Sequence, residues 1–201
     1  MNKTRPTCFG GKHISRLTVT AGMALALLLP ASISAGETIN YPTAAYPLVT
    51  DPFDGTANSL FPASGPSDNV VSVSTGSGAL GNAYGGLDAT LGNVDSFNNR
   101  LTIDTDGTFG DMVKGGAAYD GNAYNNELTV LRGAIGAGGT FDAYVSGGFA
   151  DNDGNVYGNT LTINGSIADT VINGYANGGE AAFGDVYNNT LIVNGGSITA
   201  G

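Results

Sequence analysis

The chain has 201 residues, with 7 basic and 17 acidic side chains, 33 glycines, one cysteine, one histidine and no tryptophan. Lys3, Arg5, Lys12, Arg16, Cys8 and His13 all lie in the first sixteen residues, so from Gly36 onward three cations face seventeen acids, a formal net charge of −14. That stretch has no basic footprint for nucleic acid or anionic lipid, and without thiol or imidazole it excludes structural zinc, disulfides and Cys–His or Ser–His catalysis.

Residues 1–16 are polar and basic, Leu17 to Pro30 is dominated by Ala, Leu, Val and Met, and Ala31-Ser-Ile-Ser-Ala35 supplies small residues for a signal peptidase. This three-part order predicts a secretory signal peptide over 1–35, cut after Ala35. The alternative is a membrane anchor, but the apolar run of about 14 residues is short of the roughly 20 that span a bilayer. Export without cysteine suits a bacterial protein that crosses a second membrane unfolded. Five of the seven prolines (Pro42, Pro47, Pro52, Pro62, Pro66) then fall within 36–68. Proline at this density prevents helix and blocks central strands, so 36–68 reads as an extended leader or N-terminal cap over the first edge of the downstream segment, or as a linker.

From residue 69 to 201 the chain repeats. The triplets Val71-Ser-Val73, Leu101-Thr-Ile103, Leu128-Thr-Val130, Leu161-Thr-Ile163 and Leu191-Ile-Val193 start 30, 27, 33 and 30 residues apart. Two positions before each stands an asparagine: Asn69, Asn99, Asn126, Asn159 and Asn189. Four positions before the last four stands an aromatic: Phe97, Tyr124, Tyr157 and Tyr187. Before these come Asn93-Val94, Asn122-Ala123, Asn155-Val156 and Asp185-Val186, and glycine pairs recur midway through each copy. Helical repeats are rejected, because glycine inside a helix costs about 1 kcal/mol relative to alanine and the triplets alternate with period two.

The sequence therefore predicts an all-β fold, a parallel β-helix (β-solenoid) of about five coils. Stacking at about 4.8 Å would bury the Leu/Ile/Val positions in continuous columns and turn Thr102, Thr129 and Thr162 outward. Asparagine above asparagine can form a side-chain ladder and tolerates left-handed backbone at a corner; the plainer alternative is a turn residue without a ladder. The aromatics read as stacked packing at the same corner, with a sugar-binding platform as the alternative. Insertions around 133–142 and 174–184 read as loops available for contacts.

Copies such as Tyr157-Gly-Asn-Thr-Leu-Thr-Ile-Asn-Gly and Tyr187-Asn-Asn-Thr-Leu-Ile-Val-Asn-Gly-Gly resemble the passenger repeats of bacterial autotransporters (type V secretion). The resemblance covers 69–201 and the leader, and its motif is compositional. It implies export by the signal peptide, a place at the cell surface or outer membrane or release from it, and translocation through an outer-membrane β-barrel located downstream or elsewhere. It also implies adhesion or self-association, with a host-cell surface, a glycan or a second copy as partner.

Other chemistry is sparse. Asp104-Thr-Asp106-Gly and Asp151-Asn-Asp153-Gly-Asn155 are candidate calcium loops, because carboxylates two apart can converge on a hard cation. An EF-hand counted from Asp151 would need Gly at its sixth position and Glu at its twelfth, where Val156 and Thr162 stand, and Asp-Gly is an ordinary turn former. A polysaccharide-active enzyme is the first alternative function, but Arg100, Lys114 and Arg132 lie on different features, and Arg100 faces Glu127 as a surface ion pair. An ice-binding solenoid is the second, but only Thr160 and Thr162 make the outward Thr-x-Thr that it needs. The sequon Asn164-Gly-Ser166 is exposed, though bacterial export disfavours its glycosylation. No cofactor and no catalytic residue is expected. The fifth copy begins near Asn189, and Gly201 stands twelve residues later inside a repeat that elsewhere runs 27 to 33. The sequence thus predicts the N-terminal portion of a longer protein, or a partner that caps the last coil.

Overall fold

Alternation at period two makes each triplet a strand with two members on its inner face. In a computed structural model, Val70–Val73, Arg100–Phe109, Glu127–Ile135, Thr160–Ile163 and Thr190–Val193 stack in parallel and in register. Leu101 lies over Leu128, Leu161 and Leu191, and Ile103 over Val130, Ile163 and Val193. The structure describes residues 38–41, 50–52, 54–62, 65–74, 79–88, 93–136, 143–166 and 170–199, so the predicted signal peptide lies outside it. Among the described residues there is no helix and every strand pairing is parallel. The chain is a β-solenoid of about four turns. That is one fewer than the five coils expected, because five successive triplets enclose only four complete circuits.

Each circuit has further faces. Ala83–Tyr84, Met112–Ala118, Ala143–Ala150 and Thr170–Asn177 form one, and Ser96–Phe97, Ala123–Tyr124, Val156–Tyr157 and Val186–Tyr187 another. The interior is a set of apolar columns: Val71 to Leu161, Val73 to Ile163, Phe109 with Ile135 and Ile172, and Ala83 with Val113 and Val145. Leu101, Ile103, Leu128, Val130, Leu161 and Ile163 are fully buried. Leu191 and Val193 keep the register but are 43% and 50% exposed, since no described coil covers them. Thr102, Thr129 and Thr162 are partly exposed on the outer face.

Two expectations need correction. The stretch 174–184 is not a loop: Gly174–Asn177 pairs with Ala143–Ser146, and Glu180–Ala181 pairs with Phe149–Ala150. Neighbouring backbone supplies the hydrogen bonds that the glycine- and asparagine-rich sequence does not advertise. Of the other insertion, 137–142 lies outside the described residues, whereas Gly133–Ile135 is strand. Second, the matching pair in the first copy is Asp95-Ser96 and not Asn93-Val94, because Ser96 pairs with Ala123.

The leader contributes to the stack. Thr38–Tyr41 pairs with Val70–Val73, and Leu60 bridges to Ala83 and is fully buried. Asp51, also buried, accepts hydrogen bonds from the Tyr84 hydroxyl (2.6 Å) and the Asn82 amide (2.8 Å). Burial first, then the Asp51 and Asp54 carboxylates, push the Tyr84 phenol well above its ordinary pKa, so it stays a donor.

Leu161 sits between Leu128 and Leu191. Leu161→Ala should cost about 2–5 kcal/mol in urea unfolding. Leu161→Asp should cost more, because a carboxylate would enter a dry column without a partner. A Leu161→Asp variant that melts like the parent would contradict this register.

Candidate functional site

The five asparagines form a continuous internal ladder. Each Nδ2 donates to the Oδ1 of the next coil, at 2.8 Å from Asn69 to Asn99, 2.9 Å to Asn126, 3.0 Å to Asn159 and 2.9 Å to Asn189. The same Oδ1 also accepts the backbone N–H of the asparagine before it, at 2.9–3.1 Å. The second amide proton goes to a backbone carbonyl, such as Ser96 O for Asn126 and Ala123 O for Asn159. Asn126 and Asn159 are fully buried and use donors and acceptor alike.

Room for the ladder comes from the glycine pairs. A Cβ on Gly116, Gly148 or Gly179 would stand about 2.5 Å from the amide of Asn126, Asn159 or Asn189 respectively, so only glycine fits. The left-handed corner falls one residue before each ladder asparagine: Asp68, Asn98, Asn125, Gly158 and Asn188 have φ of 54–66°. This corrects the expectation that the ladder residues themselves take that backbone. A side chain aimed inward leaves its neighbour to make the bend, and Asn, Asp and Gly all tolerate it.

Outside the same corner, Phe97, Tyr124, Tyr157 and Tyr187 stack with centroids 5.0–5.1 Å apart and planes within 6°. The rings cover one another, so the inner rings Tyr124 and Tyr157 offer only edges and hydroxyls, whereas Tyr187 at the end of the stack has one stacked neighbour and is 46% exposed. Beside them, the Asn122 N–H donates to Asp95, the Asn155 N–H to Asn122 and the Asp185 N–H to Asn155. Burial, then nearby acids, raise the Tyr124 phenol pKa.

The candidate calcium loops are placed apart. Asp104 and Asp106 both receive Arg132, at 3.1 Å and 2.9 Å. Asn155 belongs to the outer ladder, whereas Asp151 and Asp153 stand in the turn after Ala150. Among the described residues no three acidic, His or Cys side chains group as metal ligands. Arg100 meets Glu127 at 2.7 Å on the exposed face.

Lys114, which the sequence marks only as one of three scattered cations, has a defined place in the structure. Its side chain is 1% exposed, and its Nζ bonds Glu180 at 2.9 Å. Register places Lys114 beside Ser146 of the next coil, while Phe149 of that coil pairs with Glu180 of the coil after. The lysine therefore crosses one whole coil, with its ammonium 4.6 Å from the Phe149 centroid and 5.5 Å from that of Tyr144. Met112, Lys114, Tyr144, Phe149 and Glu180 line an open cavity of about 250 Å³. Burial lowers the lysine pKa, and attraction to Glu180 offsets this only in part.

No known protein family, curated protein or solved structure matches the chain, so the functional reading rests on its own sequence and geometry.

Asn126→Ala would remove the acceptor of the Asn99 amide and backbone N–H and the donor to Ser96 O, while Asn159 Oδ1 keeps the residue 126 N–H. Each unpaired group costs about 1–3 kcal/mol, so this variant should be destabilised far more than Asn189→Ala, whose site is partly exposed. Chemical denaturation of both variants checks the ranking. For Lys114, the unfolded chain binds the proton more tightly than the folded one, so stability rises with pH from the lowered folded-state pKa up to 10.5. Lys114→Met should melt no lower than the parent at pH 7. Any advantage should shrink as the pH approaches 10.5, which paired thermal melts would show.

Proposed function

We propose that this chain is an exported β-solenoid module that acts at the cell surface, or after release, in adhesion or self-association. The observation that carries the reading is the axial repetition of outward side chains, with the aromatic stack running from Phe97 to Tyr187 at one ring per coil. A surface that repeats the same group at each coil engages an extended partner through many weak, equal contacts, and multivalency turns these into firm attachment. The signal-like N terminus and the likeness of the repeats to autotransporter passengers support export. On that reading an outer-membrane β-barrel is the translocation partner, and a host surface, a glycan or a second copy is the target.

The test is to couple the full chain to beads and measure both attachment to cultured cells and bead clumping. Attachment or clumping above that of beads bearing an unrelated acidic protein is the expected result. Release of sugar, or of an ultraviolet-absorbing unsaturated product, from a polysaccharide panel would replace this reading with an enzyme. Thermal hysteresis in a cooled droplet would replace it with an ice-binding solenoid.

A further inference from the structure

Lys114 is the exception on its face of the solenoid. It is the one lysine from Gly36 onward, and it lies in a column whose other members, Tyr84, Ser146 and Asn177, are neutral. The neighbouring coils thus stack at this position without a cation. A buried charge that burial disfavours, set in the wall of an open cavity, marks a group retained for binding rather than for folding.

Charge and shape then select the ligand. An anion would meet Glu180 and a stretch of net charge −14. A cation would find the position between the Tyr144 and Phe149 rings already held by the Lys114 ammonium. A neutral molecule can use what is left: the remaining lone pairs of the partly exposed Glu180 carboxylate, held in place by Lys114, and the carbon walls of Met112, Tyr144 and Phe149. It must carry hydroxyls on its rim and C–H groups on its face. About 250 Å³ corresponds to roughly eight waters at ~30 Å³ each, the scale of one sugar ring. We propose that the cavity around Lys114 and Glu180 is a binding site for one neutral sugar unit, at a chain end or branch of a glycan. The proposal rests on the adhesion reading and names the class of partner within it.

The test is an array of neutral hexose and N-acetylhexosamine oligosaccharides with an acidic arm of uronate- and sialate-bearing ones. It is probed with the full chain, Lys114→Met, Glu180→Gln and Tyr144→Ala. The parent should bind at least one neutral class and none of the acidic arm. Lys114→Met and Glu180→Gln should bind at least tenfold more weakly, with far-ultraviolet circular dichroism matching the parent. Tyr144→Ala changes a partly exposed wall and should weaken binding in the same way, so it stands in if either charge variant fails to fold. Absence of neutral binding, preference for the acidic arm, or unchanged binding by the folded variants would each overturn the proposal. Cell attachment run in parallel separates the two readings. Attachment that survives both free sugar and Lys114→Met discards the cavity and keeps adhesion, whereas sugar binding without attachment or clumping keeps the cavity and discards adhesion.

Discussion

A parallel stack places every side chain against its counterpart about 4.8 Å along the axis, so each residue type must tolerate a copy of itself or find a chemical complement there. Almost everything else in this chain derives from that constraint. Leucine on leucine, asparagine on asparagine and tyrosine on tyrosine are self-compatible, and these are the columns seen. Carboxylates are not self-compatible, and this acidic chain separates them. Asp95 and Asp185 are divided by Asn122 and Asn155, Glu127 pairs with Arg100, and Asp104 with Arg132. Each substitution within a column converts a like-charge contact into a hydrogen bond or an ion pair.

The asparagine ladder and the glycine pairs are two halves of one device. Asparagine turned inward brings a polar amide into an apolar interior, which is tolerable only because its donors and acceptor are bonded along the axis. The amide reaches that position only because the facing residue lacks a side chain.

The period and the identity of the buried columns were legible in the sequence, because register repeats the same residue type at each coil. Features satisfied by several residue types were harder to read. The left-handed position is Asp, Asn or Gly in different copies, so the invariant asparagine beside it drew the assignment instead. In the first copy, Asn93 and Asp95 look alike, and Ser96 replaces the Ala or Val that marks the position elsewhere. Thr170–Asn177 lacks the alternation of a lone strand, and its pairing comes from its neighbours. The pairing of Lys114 with Glu180 occurs once and spans 66 residues, so no periodicity reveals it.

A solenoid held only by contacts between adjacent coils yields to an axial pull one coil at a time. Lys114 reaches past its neighbour, so the coil bearing Glu180 is tied to the coil two steps away as well as to the one it rests on. Force applied to the C-terminal end would have to open this bond together with the strand pairs of the Glu180 coil. The intermediate coil would still be held to the Lys114 coil by its own strand pairs. The step that frees the Glu180 coil would therefore need more force than its strand pairs alone demand, a clasp set inside an otherwise uniform ladder.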